Sequence, residues 1–213
     1  MRPVIIVPAR TVDRKILRSA LKLRRLGRVV VACSLPISLS SSDVTILPCP
    51  KGKWFSILEA VRRISSDRYF LIDADMPISL EEAERLLDEL NFSDLVIARR
   101  MPDLRALPDR ALTALFRLFA KMVGVSFHDP QAGAKAFRRR LVIDVADLLP
   151  RGYLGDLALI RYAVSRGYRV RELGVAWRDG RSWGDRLRLT VTIFLEICRD
   201  LPKIILAGRG GYS

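Results

Sequence analysis

Apolar and polar positions along this chain fall into alternating blocks, each long enough to be one element of secondary structure. PVIIVPA (3–9) is a continuous apolar run, and VDRKILRSALKLRRLG (12–27) repeats its apolar positions at helical spacing until Gly27. RVVVACS (28–34) is a second apolar run, PISLSSSD (36–43) reads as a Ser-rich loop, and VTILPCP (44–50) as a short strand stopped by prolines. KWFSILEAVRRISS (53–66) predicts a helix with Trp54, Ile57, Leu58, Val61 and Ile64 on one face. YFLIDAD (69–75) lacks alternation, the pattern of a central strand covered on both faces. SLEEAERLLDEL (79–90) predicts a helix that opens with a capping box, Ser79 followed by a glutamate three residues on, and DLVIARR (94–100) is the next strand.

The second half predicts a helix over 108–125 with Pro108 near its start, then a polar turn, SFHDPQAGAKAF (126–137), that ends in a short strand. Helices are expected at 139–148 and 156–166, a strand at 168–178, then a basic loop and a last amphipathic helix from about Leu187. Strands alternating with helices predict an α/β fold, a mostly parallel central sheet flanked by helices. There is no internal repeat and no linker. With 213 residues, half of them apolar, the chain suits one domain with a full core better than two.

Composition narrows the classes. The run LTVTIFLEICRDLPKIILAG (189–208) is interrupted by Glu196, Arg199, Asp200, Pro202 and Lys203, so it falls short of the roughly 18 apolar residues of a spanning helix. The opening MRPVIIVPAR is too short an apolar run for a signal peptide, and a reduced, cytoplasmic setting is expected. Cys33, Cys49 and Cys198 form neither a disulfide framework nor a zinc pattern. A single histidine, His128, builds neither a histidine metal site nor a Ser-His-Asp triad. Against 23 acids stand 37 Lys and Arg, a net charge of +14 that attracts nucleic acid, anionic headgroups or phosphorylated small molecules. General solubility or ion pairing at high temperature would give the same balance. No zinc-finger spacing, RNP-like aromatic motif or helix-turn-helix signature supports nucleic acid as the partner.

The chemistry concentrates at Asp73 and Asp75, one residue apart after an apolar run. Ligands of open parallel sheets gather at the carboxyl ends of strands. On an extended chain, residues i and i+2 project alike, so both carboxylates could converge on one hard cation, Mg²⁺ or Mn²⁺, completed by substrate phosphates. The plain alternative is that Asp75 starts the turn into the next helix while Asp73 pairs with an arginine.

DADMP (73–77) after a strand, with KG (51–52) at the head of the preceding helix, resembles the family 2 glycosyltransferases. That family has the nucleotide-diphospho-sugar transferase (GT-A-like) fold, and its strand-terminal D-A-D binds metal and donor diphosphate. DLVIARR resembles the family's strand ending in Ser-Arg, with Arg100 on its arginine, and RALT (110–113) resembles R-x-x-S, with Arg110 retained and Thr113 for serine. DPQAGAKAF (129–137) is similar to the D-x-Q-x-G-x-K-x-F of polyprenyl-phosphate sugar transferases, and YLGDLALIRYAVSRGYRVRELGVAWRD (153–179) follows the same branch. The branch that fits best is the dolichyl-phosphate mannose or glucose synthases.

The resemblance implies transfer of a hexose from a nucleotide diphosphate (GDP-mannose or UDP-glucose type) to a polyprenyl or dolichyl phosphate. It implies a nucleotide- and metal-binding half over 1–100, an acceptor half over 101–186 and a C-terminal helix and tail over 187–213. Pro8, Ala9, Arg10, Lys51, Asp73, Ala74, Asp75, Gln131 and Lys135 are implied around the donor, with Asp73 and Asp75 on Mg²⁺ or Mn²⁺. Arg100, Arg110, Thr113 and Arg139 are implied around the acceptor phosphate, and Asp75, Asp156, Arg100 and Arg110 at the reacting centre. From the residues alone, each arginine can be a surface charge, Asp129 an Asx-turn, Gln131 a polar loop residue and Asp156 a helix N-cap.

Where the family reads P-x-x-N-E this chain has PARTVD, and its second strand runs into ACSLPIS instead of an acidic loop. Pro77 and Ala158 also depart from the pattern, so the donor base and sugar stay open. The last helix has an apolar face of Leu187, Val191, Phe194, Leu195 and Cys198, ordinarily a core face. Arg178, Arg181, Arg186 and Arg188 around Trp183 suit the headgroup level of a bilayer, which predicts peripheral attachment to an anionic membrane on its cytoplasmic face. Two further readings remain: a nucleotidyltransferase of the related sugar-nucleotide fold, which VPARTVDRKIL suits, and a non-catalytic binder of lipid or nucleic acid.

Overall fold

A computed structural model describes residues 2–35, 42–101, 107–178 and 183–209. Residues 36–41 of the predicted loop over 36–43 lie outside them, as do Arg181 and the side chains of Trp183, Arg186, Leu187, Arg188, Val191 and Phe194. The described residues form seven strands and seven α-helices in the order β1 (Val4–Ala9), α1 (Arg14–Lys22), β2 (Arg28–Cys33), β3 (Thr45–Pro48), α2 (Lys53–Arg63), β4 (Arg68–Ile72), α3 (Leu80–Asp88), β5 (Leu95–Arg100), α4 (Leu107–Met122), β6 (Ala134–Arg138), α5 (Arg139–Val145), α6 (Gly155–Ser165), β7 (Val170–Val175) and α7 (Trp183–Arg209).

All seven strands join one sheet in the order β3-β2-β1-β4-β6-β5-β7. It is parallel except at β6, which runs antiparallel to both β4 and β5. The sheet is therefore mostly parallel, as the alternation predicts. Residues 69–72 of β4 and 95–98 of β5 are all buried. Helices cover both faces there, so inward and outward positions are both apolar and no period of two survives. On the flank, α2 buries Trp54, Ile57, Leu58 and Val61, and Tyr69 stacks on Phe137 across β4 and β6 with ring centroids 5.7 Å apart.

Helix starts are fixed by identifiable groups. The Asp13 carboxylate accepts from the Ile16 amide at α1, and the Ser79 hydroxyl accepts from the Glu82 amide at α3. The predicted capping box is only half made: the Glu82 carboxylate turns to Arg85 and to the Ala176 amide instead of returning to Ser79. At α2 the cap comes from across the chain. Gly52 precedes the helix with φ +136°, and the Arg151 carbonyl accepts from the Trp54 and Phe55 amides at 3.0 and 3.3 Å. A Cβ on Gly52 would lie 2.6 Å from that oxygen, so both the backbone angle and the space require glycine.

The last helix begins at Trp183, four residues before the expected Leu187, and continues through Pro202. Its described buried positions include Glu196, Asp200, Ile204 and Ala207, whereas Leu195 is exposed.

The ends of β1, β4 and β5 and the start of β6 share one edge of the sheet, and the first turns of α2 and α6 approach it. β1 sits between β2 and β4, so the strand order reverses there, the place where open α/β sheets bind ligands.

Candidate functional site

The chain leaves β4 after Ile72 and turns at once. The Met76 amide donates to the Asp73 carbonyl at 3.0 Å, and Met76 takes φ +50°, a left-handed angle unusual for a side chain of its size. Asp73 and Asp75 therefore do not project alike from an extended strand, as the spacing suggested. Asp73 is half-buried and Asp75 is exposed on the turn, with Ala74 half-buried between them. The Asp73 amide extends the ladder by donating to the Gly133 carbonyl at 2.8 Å. A Cβ on Gly133 would stand 2.0 Å from Asp73 Oδ2. Only glycine lets the carboxylate lie there.

From Asp73 a line of alternating charges runs inward. Lys53 Nζ lies 3.2 Å from Asp73 Oδ1 and 3.2 Å from Asp156 Oδ2, and Lys135 Nζ lies 3.0 Å from Asp156 Oδ1. Lys135 also donates to the Ala132 carbonyl. Exposure of the side chains falls from 25% at Asp73 to 9% at Lys53 and to zero at Asp156 and Lys135. Asp73 thus pairs with a lysine where the plain alternative foresaw an arginine. Asp156 is not a helix N-cap. It lies in the first turn of α6, past the capping Leu154, where the helix dipole favours a carboxylate. Gly155 lets that turn sit against α2, because a Cβ there would come 2.3 Å from the Trp54 ring.

The two lysines respond oppositely to the interior. Burial lowers the pKa of Lys53, but Asp156 and Asp73 outweigh it and the net shift is upward. Burial dominates at Lys135, and with Lys53 also opposing its charge the net shift is downward despite Asp156.

A second arm reaches in from α7. Glu196 Oε2 accepts from the Tyr153 amide at 2.7 Å and the Leu154 amide at 3.1 Å. Gly152 makes room for it, since a Cβ there would fall 1.9 Å from Glu196 Oε1. Gln131 donates to the Tyr153 carbonyl at 3.3 Å. This short turn before α6, which sets the position of Asp156, is thus held from two sides. Burial pushes the Glu196 carboxyl up, against the two amide bonds that lower it.

Arg100, at the end of β5, is held from two sides. It pairs with Asp129 at 2.7 Å, both side chains less than a tenth exposed, and its guanidinium lies 4.5 Å from the Trp177 ring centroid. Glu172 accepts from the His128 and Asp129 amides at 2.7 and 3.0 Å.

The other predicted positions are distributed as follows. Pro8 and Ala9 are half-buried and Arg10 exposed at the end of β1, next to β4. Lys51 is exposed; the lysine of KGK that enters the site is Lys53, which the sequence reading passed over. Arg110 is exposed and Thr113 half-buried on α4. Arg139 has to be corrected. β6 runs opposite to β4, pairing Arg68 with Arg138, and the Arg139 amide donates to the Asp67 carbonyl at 3.0 Å. β4, five residues and roughly 17 Å long, lies between Arg139 and Asp73. Arg139 is at the opposite edge of the sheet from Asp73.

Among the described residues no group of three or more His, Cys, Asp or Glu could hold a metal ion. Two carboxylates are nonetheless a fitting donor set for Mg²⁺ or Mn²⁺, which take one or two acids and complete their shell with phosphate and water. Asp73 and Asp75 supply that type, with Lys53 already on one oxygen of Asp73.

No family model matches the chain. A polyprenol monophosphomannose synthase of Mycolicibacterium smegmatis is 32% identical over 146 aligned residues, covering 55% of this chain and 55% of the relative. The chain therefore spans just over half the length of that relative. The crystal structure of glucosyl-3-phosphoglycerate synthase from Mycobacterium tuberculosis superposes with a TM-score of 0.64 at 17% identity, covering 93% of this chain and 80% of that one. Its complex with Mn²⁺, uridine diphosphate and phosphoglyceric acid gives 0.65 at 16%, covering 92% and 78%. The fold is that of the GT-A glycosyltransferases.

Proposed function

We propose that the chain is a glycosyltransferase that moves a hexose from a nucleotide diphosphate to a polyprenyl phosphate. One observation carries this reading. Three separate stretches that resemble the family, around Asp73, Gly133 to Lys135, and Asp156, meet in a single cluster at the carboxyl edge of the sheet. The similarity to a polyprenol monophosphomannose synthase supports the acceptor class, and neighbours solved with Mn²⁺ and uridine diphosphate support the donor class.

In this mechanism an acceptor phosphate oxygen attacks the anomeric carbon, and the bond to the donor diphosphate breaks with its electron pair leaving on the diphosphate. A phosphate oxygen is already ionised near neutral pH, so no strong general base is required. A bound Mg²⁺ or Mn²⁺, held by Asp73 and Asp75, would neutralise charge on the departing diphosphate. Lys53 presents a further cation from the first turn of α2. Asp156, fully buried between two ammonium groups, fixes both lysines and so acts as a positioning residue. Arg100 and Arg110 supply positive charge for the acceptor phosphate, Arg100 from a guanidinium clamped by Asp129 and Trp177.

We further propose peripheral attachment at the cytoplasmic face of a membrane. Among the described residues no helix is long and apolar enough to cross one. On α4, Leu115, Leu118 and Met122 are 66%, 58% and 72% exposed on one helical face, a surface that suits lipid. Flotation with anionic liposomes at low salt tests attachment, and protein left at the bottom of the gradient counts against it.

The activity is tested by incubating the protein with Mg²⁺ or Mn²⁺, labelled GDP-mannose or UDP-glucose, and polyprenyl phosphate. Label should enter the organic phase, require metal and vanish in Asp75→Ala. Pyrophosphate released from a nucleoside triphosphate would favour nucleotidyl transfer instead. Failure to bind any nucleotide sugar would leave only a binding role.

A further inference from the structure

Lysine and metal have to compete for one carboxylate in this cluster. Lys53 Nζ stands 3.2 Å from Asp73 Oδ1 and equally close to Asp156 Oδ2, bridging an acid of β4 to an acid of α6. The placement is built into the backbone on every side. Gly133 leaves a Cβ-sized gap into which the Asp73 carboxylate fits. The Arg151 carbonyl fixes the start of α2 through the Trp54 and Phe55 amides. Gly155 brings Asp156 up against that same start. The ammonium is therefore aimed into the space between the acids and shielded on most sides, its side chain only 9% exposed. A divalent cation on Asp73 would have to share the carboxylate with this fixed positive charge, and like charges a few ångströms apart repel appreciably even with solvent between them.

We propose that Lys53 is a resident counter-cation of the carboxylate gap that suppresses capture of free Mg²⁺ or Mn²⁺ by Asp73 and Asp75. Metal then binds weakly until the negative charge of a diphosphate joins the site. This rests on the reading of Asp73 and Asp75 as the metal end of a donor site, and it adds a residue that sets when metal enters.

The test is direct titration with Mn²⁺ alone, reading free Mn²⁺ by electron paramagnetic resonance, with no sugar donor or lipid present. Lys53→Gln removes the charge but keeps a polar side chain between the acids, and Lys135 still pairs with Asp156. Lys53→Gln is expected to bind Mn²⁺ roughly tenfold more tightly than the wild-type chain, about 1.4 kcal/mol. Lys53→Met should show the same gain without any hydrogen bond, while Lys53→Arg should stay near wild type. Adding Asp73→Asn to Lys53→Gln should abolish the gain. Neutral variants that bind Mn²⁺ no more tightly than wild type would overturn the proposal, as would a gain that survives Asp73→Asn. Neither result depends on glycosyl transfer, which the organic-phase assay decides separately.

Discussion

Replacing Glu196 by alanine should be among the most damaging single changes outside the acid–lysine cluster. The carboxylate is 8% exposed and accepts two backbone amides through the same oxygen. Alanine strands both donors, and a buried donor left unsatisfied costs about 1–3 kcal/mol. The Leu154 amide lies in buried surroundings and carries the full cost; the Tyr153 amide is partly buried and carries less. The sum is roughly 2–4 kcal/mol, a large share of the 5–15 kcal/mol that holds a typical domain folded. Glutamine should behave differently. Because both bonds end on Oε2, one amide oxygen can accept both, and Glu196→Gln should stay within about 1 kcal/mol of wild type.

Urea denaturation at pH 7 measures both variants. With a slope of about 2 kcal/mol/M, alanine should lower the midpoint by roughly 1–2 M and glutamine by less than half of that. pH separates them further. The Glu196 pKa is raised in the folded chain, so the folded state binds this proton more readily than the unfolded chain does. Its contribution is then largest below the ordinary glutamate range and is lost as pH rises through the raised value. Glu196→Gln lacks that loss, so its stability relative to wild type should improve as pH rises from about 4. An alanine variant within about 1 kcal/mol of wild type, or a glutamine variant as weak as alanine, would refute the role assigned to Oε2.

Other expectations are simpler. Gly133→Ala puts a methyl 2.0 Å from Asp73 Oδ2 and should cut sugar transfer by about a hundredfold in the organic-phase assay, since misplacement of about 1 Å suffices for that loss. Asp156→Asn leaves two buried ammonium groups facing a neutral amide and should cost about 3–5 kcal/mol in urea denaturation. Arg139→Ala, at the opposite edge of the sheet, should leave transfer rates within about twofold of wild type, as changes away from the reacting groups usually do.

The sheet was legible because its central strands are covered on both faces and therefore appear as plain apolar runs. The direction of β6 was not, since a strand has the same period of two whichever way it runs. That single ambiguity misplaced Arg139, because β6 carries the chain from the site to the far edge. The early start of α7 was hidden for another reason: Trp183-Gly184-Asp185-Arg186 offers no apolar repeat to announce a helix. Lys53 did leave a trace. It stands four residues before Ile57 and so shares the buried face of α2, but a lysine next to Gly52 reads as a solvated helix start unless the glycine's positive φ is known. The resemblance located Asp73, Lys135 and Asp156 by motif. Their mutual pairing depends on three glycines that only contacts in space explain: Gly133, Gly152 and Gly155.

The carbonyl of Arg151 at the start of α2 bears on how a ligand would let go. A helix start usually offers an anion a row of rigid amides, a seat that neither moves nor changes with solvent. Here the Trp54 and Phe55 amides are occupied by the chain's own oxygen, so an incoming phosphate meets a lone pair there. Its grip would have to come from side-chain cations and any metal they admit, groups whose attraction for an exposed ligand weakens with salt. On the proposed reading, a diphosphate retained by side-chain charge alone would depart once its sugar had gone, without prying open a backbone nest.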